Sequence, residues 1–239
     1  LGLSGHRGEH DFELVWKPKA DIIPKGMFFV ETDKDWQHGL LMVTPPLDKS
    51  LYEKRDRDVT YIIDTSGSMG GESIAQAKKA LRKALTRLAP EDSFNIIEFN
   101  STASSLFKKS VPATTLAIDE ADDFIAGLEA YGGTEMMPAL EMALGSAGEG
   151  NNERLQQIVF MTDGAVDHEE KLFQLIHNQL GERRLFTVAI GSVPNSYFMR
   201  KAAQFGRGSY TFIGDVEEVS EKMNQLFSKM EQVVMTDLH

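Results

Sequence analysis

Residues 59–71 read VTYIIDTSGSMGG, and this stretch decides the fold. The β-branched and apolar run at 59–63 is typical of a strand that is covered on both faces of a sheet. The run stops at Asp64, where hydroxyl residues and glycines follow at once. Because a carboxylate beside a buried strand loses much of its hydration, it needs a positive charge or several hydrogen bonds to compensate it. The stretch therefore predicts a strand that is covered on both faces and ends in a polar loop. A bound cation at this loop needs further ligands from two distant segments.

The chain after residue 59 alternates between strand patterns and helix patterns. Apolar runs predict strands at 94–99, 105–111, 157–161, 185–190 and 209–213, and apolar stripes predict helices over about 72–88, 117–128, 136–147, 167–180, 196–205 and 216–230. Such alternation favours an α/β fold, a doubly wound, mostly parallel, Rossmann-like sheet with helices on both faces. Ligands of such folds bind beyond the carboxyl ends of the strands, so the loops that follow strands are the candidate sites.

Two further loops offer partners for the first one. Asp163 ends the apolar run IVFMT, and the loop YGGTEM places Thr134 after two glycines and before a predicted helix. Asp64, Ser66 and Ser68 alternate along the chain, so their side chains can point the same way in an extended turn. Two carboxylates with three hydroxyls form an all-oxygen ligand set, which suits Mg²⁺ first, then Mn²⁺ or Ca²⁺, and disfavours Zn²⁺. The sequence predicts a metal site made by these five residues.

A simpler interpretation of the same loops remains open. Asp64 and Asp163 could cap helices, and Ser66 and Ser68 could serve merely to shape a turn. Glu135 could add to the metal site, or it could favour the dipole of the helix that it begins. Asp167 and His168 could form a second ligand set, although a helix cap explains them as well.

Composition and charge narrow the class of protein. The chain has 239 residues, a net charge of −11 and no cysteine. The acidic balance argues against nucleic-acid binding, which needs a surplus of lysine and arginine, and disulfides and thiolate metal ligands are excluded. No window approaches the apolar length of a transmembrane helix, and the first residues, LGLSGHRGEHD, lack the pattern of a signal peptide. We therefore expect an intracellular protein or a piece excised from a larger one.

The outer parts of the chain differ from the alternating region. Residues 12–44 carry three strand candidates, FELVW, MFFVE and GLLMV, the charged run DKSLYEKRDRD follows at 48–58, and EQVVMTDL near the C-terminus is again strand-like. We expect an N-terminal strand-rich extension over 1–58, the main α/β domain over 59–230 and a strand-like extension over 231–239.

Taken together, the loop motifs resemble a known family. DTSGS at 64–68, GGT at 132–134 and TDG at 162–164 are similar to the three-loop metal-ion-dependent adhesion site (MIDAS) of von Willebrand factor A (vWA) domains, a class that includes the inserted domains of integrins. The match is complete at Asp64, Ser66, Ser68, Thr134 and Asp163. Further stretches, among them PEDSFNIIEFNS and LFTVAIGSVPNSYFMRKAA, resemble the A domain of bacterial proteins related to inter-alpha-trypsin inhibitor heavy chains, of the marine proteobacterial sortase-target type.

The resemblance implies a binding module and not an enzyme. Ser66, Ser68 and Thr134 would hold the ion directly, Asp64 and Asp163 directly or through water, and a carboxylate of a partner protein would be the last ligand. The resemblance also implies that the full-length protein is exported and anchored at the cell surface.

Three other functions remain open from the residues alone. The first is a Mg²⁺-dependent hydrolase, although the three loops contain no histidine and DTSGS matches neither a nucleophile elbow nor a phosphate-binding loop. The second is an intracellular assembly subunit, and the third is a domain in which the metal is purely structural.

Overall fold

The computed structural model describes residues 25–33, 36–44, 55–145, 154–163, 169–191 and 196–231. The chain divides into two compact units, one formed by Arg55–Gln232 and the other by Leu1–Lys54 with Val233–His239. The predicted strand FELVW and the predicted strand-like segment after Glu231 lie outside the described residues, as do Asp167 and His168.

The smaller unit contains an antiparallel hairpin. Strand β1 (Lys25–Asp33) pairs with β2 (Trp36–Thr44) along its whole length. Both strands are longer than the apolar runs predicted, because the ladder continues through the polar residues near Asp33 and Trp36. Apolar side chains lie on both faces of this ribbon and are largely exposed, as for Phe28 at 67% and Phe29 at 51%.

The larger unit, Arg55–Gln232, alternates strands and helices as expected. Its strands are β3 (Arg57–Asp64), β4 (Ser93–Phe99), β5 (Ala103–Ser105), β6 (Val111–Pro112), β7 (Leu155–Thr162), β8 (Arg184–Ile190) and β9 (Arg207–Ile213). Its helices are α1 (Glu72–Leu85), α2 (Thr115–Gly127), α3 (Met136–Gly145), α4 (Glu169–Gln179), α5 (Ser196–Phe205) and α6 (Val219–Met230). In the part of the chain that the structure describes, none of the helices is long and apolar enough to cross a membrane.

The sheet of this unit has the order β5-β4-β3-β7-β8-β9, and β6 also pairs with β4. Strands β4, β3, β7, β8 and β9 run parallel, whereas β5 and β6 lie antiparallel to β4. From β3 the chain first adds β4 on one side and later β7 on the other, so the strand order reverses between β3 and β7. This switch point is where doubly wound sheets bind ligands. Asp64 is the last residue of β3, and Asp163 directly follows β7.

Two apolar layers cover the sheet, one on each face. Helices α1, α2 and α6 pack on one face against residues such as Tyr61 and Ile63, and helices α3, α4 and α5 pack on the other against Ile62 and Phe160. Consecutive residues of β3 therefore contribute to opposite layers, which explains why its sequence is continuously apolar. The predicted doubly wound α/β fold is confirmed.

Two predicted element bounds are wrong for local reasons. The single strand at 105–111 is two short strands, because the side-chain amide of buried Asn95 bonds both the N–H and the C=O of Phe107 and interrupts the ladder. The last helix begins at Val219 and not at 216. The Asp215 carboxylate accepts the N–H of Glu217 and holds the residues just before the helix in a turn.

A buried ion pair closes the end of the sheet opposite to Asp64. The Arg57 guanidinium at the start of β3 donates to Asp92 from Nε at 3.1 Å and from Nη2 at 2.5 Å, and Asp92 also accepts the N–H groups of Arg57 and Ala89. Burial alone would raise the pKa of Asp92, but these hydrogen bonds and the charge of Arg57 hold that pKa below its usual range. The pair therefore fixes the start of β3 to the turn before β4.

Candidate metal site

Asp64 is fully buried at the carboxyl end of β3. Its Oδ1 accepts the backbone N–H of Ser66 at 2.8 Å, and its Oδ2 accepts the hydroxyl of Thr162 at 2.5 Å. Burial raises the pKa of Asp64 above its usual range, hydrogen bonds from Ser66 and Thr162 oppose the rise, and the like charge of Asp163 adds to it. The carboxylate is thus held in place by neutral donors that do not fully compensate its desolvation.

The two serines lie side by side in the turn that follows. Residues Gly67–Met69 form one 3-10 turn, and the Oγ atoms of Ser66 and Ser68 are 3.0 Å apart. Ser66 is buried, whereas Ser68 is exposed. The two hydroxyl groups do lie together, but a 3-10 turn and not the predicted extended turn brings them there.

The loop that carries Thr134 is tied to this turn by backbone hydrogen bonds. The N–H of Tyr131 donates to the carbonyl of Thr65 at 2.9 Å, and the N–H of Gly67 donates to the carbonyl of Gly132 at 3.1 Å. Gly132 has a φ of +78°, a conformation that side chains with a Cβ rarely adopt, which explains one of the two glycines before Thr134. Thr134 itself is half-buried.

The loop after β4 also takes part, and sequence reasoning missed it. The carbonyl of Asn100 accepts the N–H of Glu135 at 2.7 Å, and the Ser101 hydroxyl accepts the N–H of Gly133 at 2.8 Å. Both neighbours of Thr134 are therefore anchored by this loop. The side chain of Asn100 reaches the other way, since its Nδ2 donates to the hydroxyl of Thr65 at 3.2 Å. Asn100 is the first polar residue after a buried strand, so the rule that singled out Asp64 could have found it.

Asp163 follows β7 directly, at the same edge of the sheet. It is partly exposed, and its neighbour Thr162 makes the hydroxyl contact with Asp64. The negative charge of Asp163 acts on Asp64, which places the two carboxylates in one electrostatic environment. The sheet thus brings the last of the five predicted residues to the edge where the other loops lie.

The residues fit a hard divalent cation by their chemistry. A buried carboxylate with a raised pKa and a second acid nearby calls for positive charge, and the described residues offer hydroxyl and carboxylate oxygens at this edge. Within the described ranges no three His, Cys, Asp or Glu residues cluster as a metal site, so a site rich in histidine or carboxylates is not seen there. A set of two acids and three hydroxyls is an oxygen site, of the type that leaves Mg²⁺ several waters.

Comparison with known proteins agrees with this architecture. Residues 57–212 match the model of the von Willebrand factor type A domain family. The human protein inter-alpha-trypsin inhibitor heavy chain H4 is 30% identical over 191 residues, which cover 75% of this chain and 20% of that protein. The chain spans about a fifth of the length of the curated relatives it matches.

Solved structures share the fold. A von Willebrand factor type A protein from Catenulispora acidiphila superimposes with a TM-score of 0.68 at 21% identity, covering 81% of this chain and 45% of that one. Proximal thread matrix protein 1 from the mussel byssus, in a form with a zinc-occupied MIDAS motif, gives a TM-score of 0.59 at 14% identity, covering 75% of this chain and 49% of that one. The family match includes most of the larger unit, and the resemblance seen in the loop motifs is confirmed at the level of the family. This chain belongs to the von Willebrand factor type A domain family.

Proposed function

We propose that this chain is a protein-binding module that depends on a divalent cation. Its five ligand residues are Asp64, Ser66, Ser68, Thr134 and Asp163. A cation at this site supplies a coordination position that a carboxylate of a partner protein completes. The binding domain extends over residues 59–230, between the extensions 1–58 and 231–239.

The environment of Asp64 is the observation that carries the proposal. This carboxylate is fully buried, and its direct partners are an N–H and a hydroxyl group. Replacing it by an apolar side chain would remove a destabilising charge, so its presence at a strand end is explained best by a ligand that needs the charge.

The neighbouring groups each have a separate task in this proposal. The hydroxyls of Ser66 and Ser68, 3.0 Å apart, offer two neutral oxygens beside the Asp64 carboxylate. Neutral ligands leave the cation with more of its positive charge, so that it attracts the anionic side chain of a partner. Asn100 and Ser101 hold the backbone on either side of Thr134.

The physiological ion is proposed as Mg²⁺, with Mn²⁺ and Ca²⁺ as alternatives. The preference rests on the oxygen-only ligand set. Zinc occupies the MIDAS motif of the mussel protein, so zinc belongs in any titration of this chain.

The setting of this module is proposed to be extracellular, as part of a larger surface protein. The curated relatives are about five times as long as the matching region, and the mussel neighbour is a byssal thread matrix protein. The proposed partner is a protein with an accessible aspartate or glutamate side chain.

A peptide-binding experiment tests the function. Fluorescent peptides with one central aspartate are titrated with the chain in Mg²⁺ or Mn²⁺, in chelator, and with Thr134→Ala. Thr115→Ala serves as a matched control, since Thr115 is an exposed residue at the start of α2. We expect binding that needs the ion, is lost in Thr134→Ala and is kept in Thr115→Ala.

Two results would contradict the proposal. Equal binding in chelator would remove the metal from the mechanism. Metal-dependent cleavage of the peptide, seen by mass spectrometry, would replace the binding module by a hydrolase.

A further inference from the structure

Thr65 lies between the proposed ligands Asp64 and Ser66, and it is fully buried. Its hydroxyl donates to the carbonyl of Phe99 at 3.1 Å and accepts the side-chain N–H of Asn100 at 3.2 Å. Phe99 is the last residue of β4, and Asn100 begins the loop that follows. The hydroxyl is therefore committed to the end of β4, and Thr65 has a different task from the ligand residues on either side of it.

Asn100 uses each of its polar groups in the same region. Its N–H donates to the carbonyl of Thr102 at 2.9 Å, and its Oδ1 accepts the N–H of Thr102 at 3.2 Å. Its carbonyl accepts the N–H of Glu135 at 2.7 Å, and its Nδ2 donates to the hydroxyl of Thr65. Asn100 is only 5% exposed, so these partners take the place of water. This residue therefore links Thr65 to the residue that follows Thr134.

A buried polar pair is not needed here for stability alone. Replacing both partners of a buried hydrogen bond by apolar groups of the same shape can be nearly neutral. A hydrogen bond differs from an apolar contact because it fixes a distance and a direction. The backbone of Thr65 is fixed in the same way, since its N–H donates to the carbonyl of Phe99 at 2.8 Å and its carbonyl accepts the N–H of Tyr131 at 2.9 Å. The hydrogen bonds of Thr65 thus reach both the end of β4 and the loop that carries Thr134.

We propose that Thr65 is a positioning residue of the proposed metal site, and that its hydrogen bond with Asn100 fixes the DTSGS turn against the loop that carries Thr134. The inference rests on the proposed function, because hydroxyl groups of both segments must serve one ion. Thr65 acts through the backbone of its neighbours, since its own hydroxyl is already bonded twice. Contacts that orient metal ligands in this way typically change metal affinity about ten- to a hundredfold when they are lost.

The test compares the loss of this hydroxyl with the loss of a similar one elsewhere. Thr65→Val keeps the shape of the side chain and removes its hydroxyl, and Thr65→Ser keeps the hydroxyl. Thr187→Val is the matched control, because Thr187 in the middle of β8 is also fully buried and its hydroxyl donates to the carbonyl of Met199 at 2.9 Å. The Mn²⁺ dissociation constant is measured by electron paramagnetic resonance, and far-UV circular dichroism in chelator gives the Tm of each protein.

We expect Thr65→Val to weaken Mn²⁺ binding about ten- to a hundredfold, whereas Thr65→Ser and Thr187→Val should bind Mn²⁺ as the wild-type chain does. Both valine variants should have a lower Tm in chelator, because each removes a buried hydrogen bond. A shared loss of stability with an unshared loss of metal affinity is the mark of positioning.

A double-mutant cycle tests the partner of the hydroxyl. Asn100→Ala should weaken Mn²⁺ binding as well, and Thr65→Val should add little to it, because the two residues act through one hydrogen bond.

The outcomes separate the positioning role from the metal site itself. If Thr65→Val binds Mn²⁺ as tightly as wild type, if both valine variants weaken binding equally, or if Thr65→Ser is as weak as Thr65→Val, the positioning role is refuted while the proposed metal site is kept. Independent, additive losses in the cycle refute the role of Asn100. Should Thr65→Val not fold, Asn100→Ala is compared with Thr187→Val in its place, and equal affinities refute the inference. A wild-type chain that binds no Mn²⁺ refutes the proposed metal site, and the inference fails with it.

Discussion

Replacing Asp64 by asparagine should stabilise the metal-free protein and abolish its response to metal. The amide keeps the shape of the side chain, its oxygen still accepts the N–H of Ser66, and the Thr162 hydroxyl can turn to accept from the new NH₂ group. Only the charge is lost. Because this carboxylate is fully buried, its removal relieves a desolvation penalty that the hydrogen bonds offset only in part.

The size of the effect follows from two opposing contributions. A buried anion costs several kcal/mol after relaxation, and hydrogen bonds to a charged group return about 1.5–3 kcal/mol each. The raised pKa of Asp64 shows that burial outweighs its hydrogen bonds. We therefore expect a net gain of about 1–2 kcal/mol, or a rise of about 2–8 °C in Tm, for Asp64→Asn in chelator.

In saturating metal the wild-type protein should have the higher Tm, the reverse of the order expected in chelator. An ion at a hundred times its dissociation constant stabilises the native state by about 2.7 kcal/mol, which raises the wild-type Tm by about 5–10 °C. The variant should not respond. Far-UV circular dichroism is the suitable assay, because the two tryptophans, Trp16 and Trp36, lie outside the unit Arg55–Gln232. A variant that is less stable than wild type in chelator would refute the reasoning, since the anion would then stabilise the empty site.

The remaining predictions concern the frame around the site. Asp92→Asn removes the close counter-charge of the buried Arg57 and leaves it only the longer contact with Glu231 at 3.9 Å. It should lower the free energy of unfolding in urea at neutral pH by about 3 kcal/mol. The pKa of Asp92 is lowered in the folded protein. The difference in unfolding free energy between wild type and variant should therefore persist above the unfolded pKa of about 3.9 and shrink as the pH falls through the folded pKa. A difference that stays constant with pH would contradict the pairing of Asp92 with Arg57. Gly208→Ala puts a Cβ 2.0 Å from a backbone oxygen of β8 and should destabilise by at least about 3 kcal/mol, whereas Gly127→Ala, with open space around it, should be neutral or stabilising. Ser101→Ala removes the hydroxyl that accepts the N–H of Gly133 and should raise the metal dissociation constant about tenfold by calorimetry. An unchanged value would show that this hydroxyl of the loop after β4 does not position the site.

The strand ends could be predicted from the sequence because burial on both faces leaves a clear pattern. The apolar runs of β3 and β7 stop at a polar residue, and the fold brings both ends to one edge, so Asp64 and Asp163 could be expected there. The Oγ atoms of Ser66 and Ser68 lie together as expected, although Ser68 belongs to a 3-10 turn and not to the extended turn that the alternation predicted.

Other features depend on contacts between distant segments and leave no local pattern. The side chain of Asn95 divides the expected strand at 105–111, and an asparagine inside an apolar run gives no sign of which backbone group it will bond. Asn100 could be singled out as the first polar residue after β4, but its partner could not. Its carbonyl and the Ser101 hydroxyl bond the neighbours of Thr134 only once the loops have met. The close approach at Gly208 likewise depends on the irregular register between β8 and β9.

The most direct test of the central claim is to count bound Mn²⁺ by electron paramagnetic resonance in the purified chain, with Thr134→Ala and Asp163→Ala beside it. The account predicts one saturable ion per wild-type chain, displaced by excess Mg²⁺, and a strongly weakened or absent ion in both variants. A wild-type chain that binds no ion, or binding that both variants leave unchanged, would contradict it.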